Sequence, residues 1–347
     1  MNYKKNVYVV FTEYQFLQAI NIATAIYDRV EFINSIYLVR YGCRLKGINS
    51  NINSELNNIK INIYDFKSQR EIANLILNEN PNHFFFFQAI SGLNVYLAHT
   101  LSKRGVEISL GPDGYKAYAD YNKKYYLLSI IKDSFKENLN MIKDKIFSGK
   151  LHRFDYYSYG NNNFIDNLWI THPEQYSHKA SNKVNVIKLP EFNQNCIQLV
   201  KIFFNFNNDF PTQNVIYFFN QPLWGALLEK EFDFLKDVLY AFPGKLIILK
   251  LHPLTDLTMK ERYRALEGLT ILDSAVPAEV ILLSLKNCIV YSGWSSVLIT
   301  ENKSCNYYFN YPVFRSLNDY IFDQMGIILL NHIKMIASPK EMKFPNE

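Results

Sequence analysis

The sequence predicts an α/β protein with two doubly wound parallel-sheet domains that face each other across a cleft. Strand-like and helix-like segments alternate along the chain, which is typical of parallel sheets. The alternation begins near Asn6 and starts again near Asn214, after a polar stretch that contains Pro211. A chain of 347 residues is also longer than one hydrophobic core usually supports. We place residues 1–190 in a first domain and residues 191–347 in a second, with a junction at the polar stretch or slightly before it.

The predicted elements of the first domain follow from hydrophobic periodicity. Apolar runs predict strands at 6–11, 32–39, 59–66, 83–88, 106–110, 164–171 and 184–189, and helical spacing predicts helices at 15–27, 68–77 and 93–103. The segment 134–163 is charged, rich in Tyr and Asn, and breaks this rhythm.

The second domain shows the same alternation. We predict strands at 214–219, 245–251, 269–272, 288–291 and 305–309, a helix at 224–242, and an amphipathic last helix at 320–336. We expect the last helix to pack back on the first domain rather than to bind a membrane.

The segment from Lys245 to Pro253 is the most informative part of the chain. Its apolar residues do not alternate with polar ones, which favours a strand covered on both faces. Pro253 cannot continue the strand and keeps His252 extended. The strand therefore delivers a titratable imidazole to the carboxyl end of a parallel sheet, where ligands bind in open α/β folds.

A second pattern places Gly293, Ser295 and Ser296 between an apolar strand and an apolar helical run. Serines at a helix start cap it with their hydroxyls, and a helix N-terminus also attracts phosphate. From the residues alone, a plain cap and a phosphate site remain equally open.

Asp113 lies in a Gly-Pro-Asp-Gly stretch that follows the predicted strand at 106–110. A tight turn explains these residues, and presentation of a carboxylate to the cleft is the alternative. Smaller features at strand ends are Thr12, Glu13 and Gln15, the Asn220-Gln221-Pro222 stretch, and Glu279 at a helix start, where a carboxylate favours the helix dipole. The second His-Pro pair, His172-Pro173, we interpret as structural.

Composition excludes several classes of protein. The net charge of +5 is mild and no dense Lys/Arg block occurs, so we expect no nucleic-acid partner. Cys43, Cys196, Cys288 and Cys305 are scattered, which indicates neither a zinc site nor a disulfide framework. With no signal-peptide pattern and no membrane-spanning run, we expect a cytoplasmic protein, with peripheral contact at the inner face of a membrane as an option.

Missing motifs narrow the chemistry further. The sequence has no Gly-x-Gly-x-x-Gly fingerprint, no Walker loop and no Gly-x-Ser-x-Gly elbow. It also has no Asp-x-Asp pair, a common carboxylate arrangement for holding a metal-nucleotide complex. These absences argue against a dinucleotide dehydrogenase and a P-loop NTPase.

Taken in order, three stretches resemble motifs of bacterial sialyltransferases with the GT-B fold, in which two Rossmann-like domains face across a cleft. Pro112-Asp113-Gly114 resembles their acidic-acidic-Gly motif, Lys250 to Pro253 their His-Pro motif, and Ser295-Ser296 their Ser-Ser or Ser-Thr motif. Gln221 opens a stretch that resembles the start of the nucleotide-binding half. Pro112 departs from the pattern, because it stands where the first acidic residue is expected.

The resemblance implies an inverting sialyltransferase that uses CMP-sialic acid as donor and a terminal sugar of a bacterial surface glycan, galactose in the first instance, as acceptor. Asp113 is implied as the general base, and His252 as the group that stabilises the departing phosphate. The resemblance also implies that the reaction needs no cofactor and no divalent metal, which is consistent with the missing Asp-x-Asp pair. The implied donor-binding residues are Lys250, Glu279, Ser295, Ser296, Gln221 and Gly293. We expect the acceptor in the first domain, with the aromatic residues at 115–126 and 84–87 as candidates. Aromatic faces stack on sugars, but such residues lie more often in the core.

Two alternatives remain open. The same fold could use another CMP-sugar of the Kdo type or a UDP-sugar. A protein of a different class, an inactive glycan-binding or scaffold protein, would keep the fold without the reaction. The sequence does not define the linkage or the oligomeric state.

Overall fold

In a computed structural model, the chain divides into two compact units, one ending at Asn205 and the other beginning at Phe206. The structure describes residues 3–40, 44–45, 47–48, 55–56, 58–65, 68–88, 92–118, 159–160, 162–176, 184–206, 210–221, 223, 225–274, 276–293, 295–315 and 330–346. Most of the expected irregular segment at 134–163, and Cys43, lie outside these residues.

The first unit is a helix-flanked sheet. Its strands are β1 (Lys4–Val10), β2 (Phe32–Arg40), β3 (Glu55–Leu56), β4 (Ile59–Asp65), β5 (His83–Phe86), β6 (Glu107–Leu110), β7 (Asn167–Ile170) and β8 (Asn185–Lys188). Its helices are α1 (Glu13–Ile26), α2 (Gln69–Glu79), α3 (Gly92–Ser102) and α4 (Gln194–Phe203). The strand order is β3-β4-β2-β1-β5-β6-β7-β8, and the described pairs are parallel except β3 with β4.

The second unit repeats the arrangement. Its strands are β9 (Ile216–Phe219), β10 (Ile247–Lys250), β11 (Leu269–Leu272), β12 (Cys288–Ser292), β13 (Cys305–Phe309) and β14 (Ile333–Met335). Its helices are α5 (Ala226–Ala241), α6 (Leu257–Arg264), α7 (Ala278–Leu282) and α8 (Tyr311–Arg315). The order is β11-β10-β9-β12-β13-β14, and its pairs are parallel.

The predicted α/β class, with a doubly wound and mainly parallel sheet in each unit, is confirmed. Central strands such as β5, β9 and β10 are buried along their whole length, which is why they show no polar alternation. In each unit the chain runs outward from a central strand and then returns to its other side, the order of a doubly wound Rossmann-like sheet.

The division between the units falls after α4 rather than at 190/191. Phe203 and Phe204 at the end of α4 pack their rings against Phe16 of α1, with centroid distances of 5.5 and 6.1 Å. These contacts join α4 to the first unit. The junction lies at the start of the polar stretch that contains Pro211.

The predicted last helix is wrong at its carboxyl end. Ile333–Met335 form strand β14, which pairs in parallel with β13. Its residues lie opposite Tyr307–Phe309. Residues 316–329, where the rest of that helix was expected, lie outside the described residues. Among the described helices, none is long and apolar enough to cross a bilayer.

Candidate active site

The carboxyl ends of β9, β10 and β12 bring the strongest sequence motifs of the second unit together. β9 has β10 on one side and β12 on the other, so the winding of the sheet reverses there. Ligands bind at such a reversal because the loops on its two sides diverge and leave a crevice. Asn220 follows β9, His252 follows β10, and Gly293 follows β12.

His252 is held through its backbone and its ring. Its backbone N–H donates to Asn220 Oδ1 at 2.7 Å, and its carbonyl accepts from Thr255 N–H at 3.0 Å. The Leu254 N–H lies 3.1 Å from His252 Nδ1. Because a backbone N–H can only donate, Nδ1 is the acceptor, and in the neutral ring the proton is on Nε2. The imidazole is therefore set as a hydrogen-bond donor through Nε2.

The serine motif is tied to β9 by a hydroxyl network. Ser292 Oγ donates to Phe219 O at 2.7 Å and accepts from Ser295 N–H at 3.0 Å. Ser295 Oγ accepts from Val297 N–H at 3.3 Å, which is a capping bond. This network places Ser295 and the half-exposed Ser296 beside the end of the central strand.

The helix expected after these serines is a single 3-10 turn, Ser296–Ile299. So short a turn aligns few peptide dipoles, so the helix-dipole argument for phosphate does not apply. Phosphate binding by this motif would therefore depend on the side chains of Ser295 and Ser296.

Gly293 is fixed by close packing. A Cβ added at Gly293 would lie 2.7 Å from Phe314 Cε2 and 3.4 Å from Asn310 Oδ1. Phe314 is fully buried, so its ring has no room to withdraw. The absence of a side chain at Gly293 allows β12 to turn into the serine motif.

Lys250 and Glu279 are both buried. Lys250 Nζ donates to Leu251 O at 2.9 Å and to Ser274 O at 2.5 Å. Burial raises the pKa of Glu279 to about 7, while the positive charge of Lys250 lowers it. Gln221 is half-buried, and its carbonyl accepts from Leu223 N–H at 2.8 Å. In this structure Lys250 supports the loop at Ser274.

In the first unit, Asp113 follows β6 and precedes a 3-10 turn, Gly114–Ala117. Gln15 Nε2 donates to Asp113 Oδ1 at 3.1 Å, and Gln15 Oε1 accepts from Phe11 N–H at 2.9 Å. The second bond fixes which end of the Gln15 amide faces the carboxylate. Gln15 is fully buried, so Asp113 has a rigid partner.

The loop before Asp113 is packed from both sides. The Tyr159 hydroxyl donates to the Gly111 carbonyl, and a Cβ at Gly111 would overlap ring carbons of Phe87. Pro112 is buried, and a carboxylate at that position would need a buried partner. Gly114 has φ +63°, a left-handed conformation that favours glycine.

For the aromatic residues at 84–87, the structure favours the core over an acceptor site. Phe84, Phe85, Phe86 and Phe87 are fully buried, so their rings cannot stack on an acceptor sugar. Tyr118 is also buried, and its hydroxyl accepts from His172 N–H at 2.8 Å. Residues 119–126, and the side chain of Tyr115, lie outside the described residues.

The structure therefore groups His252, Ser295, Ser296, Gly293 and Gln221 at one edge of the second sheet and places Asp113 at an edge of the first. Sequence reasoning did not assign a role to Asn220. Its position at the end of a strand, directly before Gln221, was the available signal. Gln15 was noted only as a residue at a helix start.

Comparison with known families identifies one match that covers most of the chain. The family model described as alpha-2,8-polysialyltransferase (POLYST) matches residues 2–317. No curated protein sequence matches the chain.

Among solved structures, a sialyltransferase from Photobacterium damsela shares 12% identity and a TM-score of 0.57, covering 96% of this chain and 82% of that one. The S. aureus MnaA-UDP structure shares 10% identity and a TM-score of 0.50, covering 85% of this chain and 75% of that one. At such identities the likeness shows a shared GT-B fold.

Proposed function

Because the chain belongs to the alpha-2,8-polysialyltransferase family, we propose that it transfers sialic acid from CMP-sialic acid to a glycan with inversion at the anomeric carbon. The observation that carries the proposal is the extent of the family match, which contains Asp113, His252 and the Ser295-Ser296 pair. The enzyme is a sialyltransferase; its donor, acceptor and stereochemistry are what we propose here.

In the proposed reaction Asp113 removes a proton from an acceptor hydroxyl. The hydroxyl oxygen forms a bond to the anomeric carbon of the donor as the bond from that carbon to the CMP phosphate breaks. The electron pair of the broken bond leaves with CMP, so negative charge grows on the phosphate. A single displacement of this kind inverts the anomeric centre.

Hydrogen bonds from His252 Nε2–H and from the hydroxyls of Ser295 and Ser296 stabilise the negative charge that grows on the phosphate. Support comes from the Leu254 N–H bond to Nδ1, which leaves the donor nitrogen of the neutral ring at Nε2. Gln221, Lys250, Gly293 and Glu279 would shape the nucleotide pocket. We propose that no divalent metal takes part, because the sequence lacks an Asp-x-Asp pair.

For the acceptor, we propose a terminal sialic acid rather than the galactose first expected. An α2,8 linkage, which the family description names, requires a hydroxyl on carbon 8 of the acceptor. Galactose has only six carbons, whereas sialic acid has nine. Two oligosaccharides that differ only in a terminal galactose or a terminal sialic acid test this choice.

The test is transfer from CMP-sialic acid to both acceptors in the presence of EDTA. We expect product with the sialylated acceptor, and product with the galactose acceptor alone would favour the first expectation. Calorimetric titration with CMP, UMP and UDP tests the donor, since an enzyme for UDP-sugars binds the diphosphate best. Transfer from a Kdo-type CMP-sugar alone, or glycan binding without nucleotide affinity, would contradict the proposal.

We also propose a cytoplasmic protein that contacts the inner face of the membrane, where an anionic surface attracts a chain of net charge +5. Co-sedimentation with anionic and neutral vesicles tests this location. Equal recovery with both vesicle types would contradict it.

A further inference from the structure

Asn220 has a side-chain orientation that the structure fixes. It is buried at the carboxyl end of β9, and its Oδ1 accepts the His252 N–H at 2.7 Å. Since a backbone N–H only donates, the atom on this side must be the oxygen. The amide nitrogen therefore points the other way, where it lies 3.5 Å from the Tyr263 hydroxyl oxygen.

The contact continues into the interior of the second unit. Tyr263 on α6 is fully buried, and its hydroxyl donates to Glu231 Oε1 on α5 at 2.8 Å. Glu231 is also buried, and no partner is found for its Oε2 among the described contacts. Its neighbours on α5, Phe232, Phe234 and Leu235, belong to an apolar core cluster. A buried carboxyl group beside such a cluster is costly, so packing alone does not explain it.

Glu231 is suited to stay neutral in this position. Burial raises its pKa to about 8, although hydrogen bonds from Tyr263 and Asn220 lower it. A neutral carboxyl group can remain buried near pH 7 while its oxygen accepts from Tyr263. The group therefore anchors Tyr263 without placing a full charge in the core.

The turn at His252 is held at both of its ends. Asn220 holds its beginning, and Thr255 N–H closes it on the His252 carbonyl. Asp256 then caps α6 by accepting from Met259 N–H at 2.8 Å, and α6 carries Tyr263. Asn220, through its amide nitrogen, and α6, through Tyr263, are thus both attached to Glu231. We call this Tyr263–Glu231 hydrogen bond the anchor.

We propose that Asn220, Tyr263 and Glu231 are positioning residues that fix the place and the ring tautomer of His252. The inference deepens the proposed function, on which it rests, because it names the groups that aim Nε2–H at the donor phosphate. None of the three residues needs to touch the substrate. Their effect reaches it through the backbone N–H of His252 and the turn that follows.

The direct test is the tautomer of His252, which does not depend on activity. The full chain is labelled with 15N in its 7 histidines, and a His252→Gln spectrum identifies the His252 signals. We expect one tautomer with the proton on Nε2 in the unsubstituted protein. In Asn220→Ala, the two ring nitrogens should move toward a common averaged shift.

Asn302→Ala is the matched control. Asn302 also bridges backbone groups of the second unit, donating to Leu282 O and Leu285 O at 2.8 and 2.9 Å, and has no described contact with His252. Its removal should lower stability without changing the His252 signals. Unchanged signals in Asn220→Ala, or equal changes in both variants, would overturn the inference.

Two milder variants keep the test decisive if Asn220→Ala does not fold. Asn220→Asp keeps an oxygen for the His252 N–H, so it should restore the Nε2 tautomer. Tyr263→Phe removes only the hydroxyl and should broaden or shift the His252 signals. If Tyr263→Phe leaves the His252 signals unchanged, as Asn302→Ala should, the anchor is not transmitted to His252.

Kinetics separates this inference from the proposed function. With CMP-sialic acid, Asn220→Ala should lower kcat by roughly ten- to a hundredfold, the scale of a misplaced reacting group. KM should change less, and Asn220→Asp should recover part of kcat. If the unsubstituted protein binds no CMP, the proposed function fails; if it binds CMP and Asn220→Ala keeps full kcat, only the positioning role fails.

Discussion

Gln15 Nε2 donates a hydrogen bond to Asp113 Oδ1 at 3.1 Å, across 98 positions of the sequence. A similar contact occurs in the second unit, where Asn220 Oδ1 accepts a hydrogen bond from the His252 N–H at 2.7 Å. In each case a buried amide just after the central strand, β1 or β9, orients a residue that follows a different strand. An amide suits this task because one end donates while the other accepts.

We predict that Gln15 acts on the reaction through Asp113. Gln15→Met should lower kcat about tenfold, because a carboxylate that loses its partner no longer holds one orientation. It should also destabilise the fold by roughly 1 to 3 kcal/mol, since the Phe11 N–H loses its acceptor. Initial transfer rates and urea unfolding measure the two effects.

A double-mutant cycle separates a positioning role from a second, independent one. In an Asp113→Asn background, Gln15→Met should cause no further loss of rate. Gln18→Met is the matched control, because Gln18 is a buried glutamine on the same helix whose Oε1 has no described partner. Rate losses that multiply in the double variant would contradict the prediction.

We predict that Gly111→Ala displaces the loop that carries Asp113. The added methyl group would overlap ring carbons of Phe87, which is fully buried and cannot swing away. Overpacking of this kind costs about 1 to 3 kcal/mol. The transfer rate should fall as well, and circular dichroism with urea unfolding measures the loss of stability.

A second substitution checks the cause. Phe87→Leu should recover part of the stability of Gly111→Ala, since a smaller side chain makes room for the methyl group. Gly105→Ala is the control, because a Cβ there meets nothing within 4 Å and only its positive φ of +78° is strained. If Phe87→Leu makes Gly111→Ala still less stable, the collision is not the cause.

We predict that Glu231 and Glu279 make the fold less stable as the pH rises. Burial raises the pKa of Glu231 to about 8 and that of Glu279 to about 7. Above the ordinary carboxyl pKa of about 4.3, the unfolded chain has lost protons that the folded chain still holds. The free energy of unfolding must therefore fall as the pH rises from that value through the two folded-state pKa values.

Glu231→Gln cannot titrate, so it should lose less unfolding free energy between pH 5 and pH 9 than the unsubstituted protein. The difference is on the order of a few kcal/mol. Glu229→Gln is the control on the same helix, because Glu229 is exposed and Arg262 holds its pKa below the usual range. Parallel pH curves for Glu231→Gln and the unsubstituted protein would show that Glu231 does not titrate in this window.

We predict that His83 makes the fold less stable in acid. Burial lowers its pKa to about 3, and its Nε2 lies 2.7 Å from Ser109 Oγ. As the pH falls below about 6.5, the unfolded chain gains a proton that the folded chain does not bind. The free energy of unfolding therefore falls over this range until the pH reaches the folded-state pKa.

His83→Gln should flatten the decline in unfolding free energy between pH 7 and pH 5, measured by urea unfolding. Glu107 Oε2 lies 3.7 Å from His83 Nδ1, but the Glu107 side chain is 54% exposed, so water weakens its attraction for a charged ring. His172→Gln is the control, since His172 lies in a loop beside the exposed Glu174. An unchanged slope in His83→Gln would mean that another group causes the acid effect.

The sequence alone determined the alternation of strands and helices, the position of His252 after β10, and the order of the three motifs. These features are local, because periodicity and turn residues act over a few neighbouring positions. The same local rules failed at Ile333–Met335, where pairing with β13 selects a strand. They left open whether the rings at 84–87 contact a sugar or lie in the core, because an apolar run does not show what covers it.

Only the tertiary structure showed that Gln15 contacts Asp113. It also showed a series of contacts that runs from Glu231 through Tyr263 and Asn220 to His252. These contacts link residues that are far apart in the chain, and each depends on strand order and helix packing rather than on local propensity. The serine motif shows the same limit, because its helix start is a short 3-10 turn tied to β9 by Ser292. The sequence thus specified which residues reach the sheet edges, and packing decided how each one is held there.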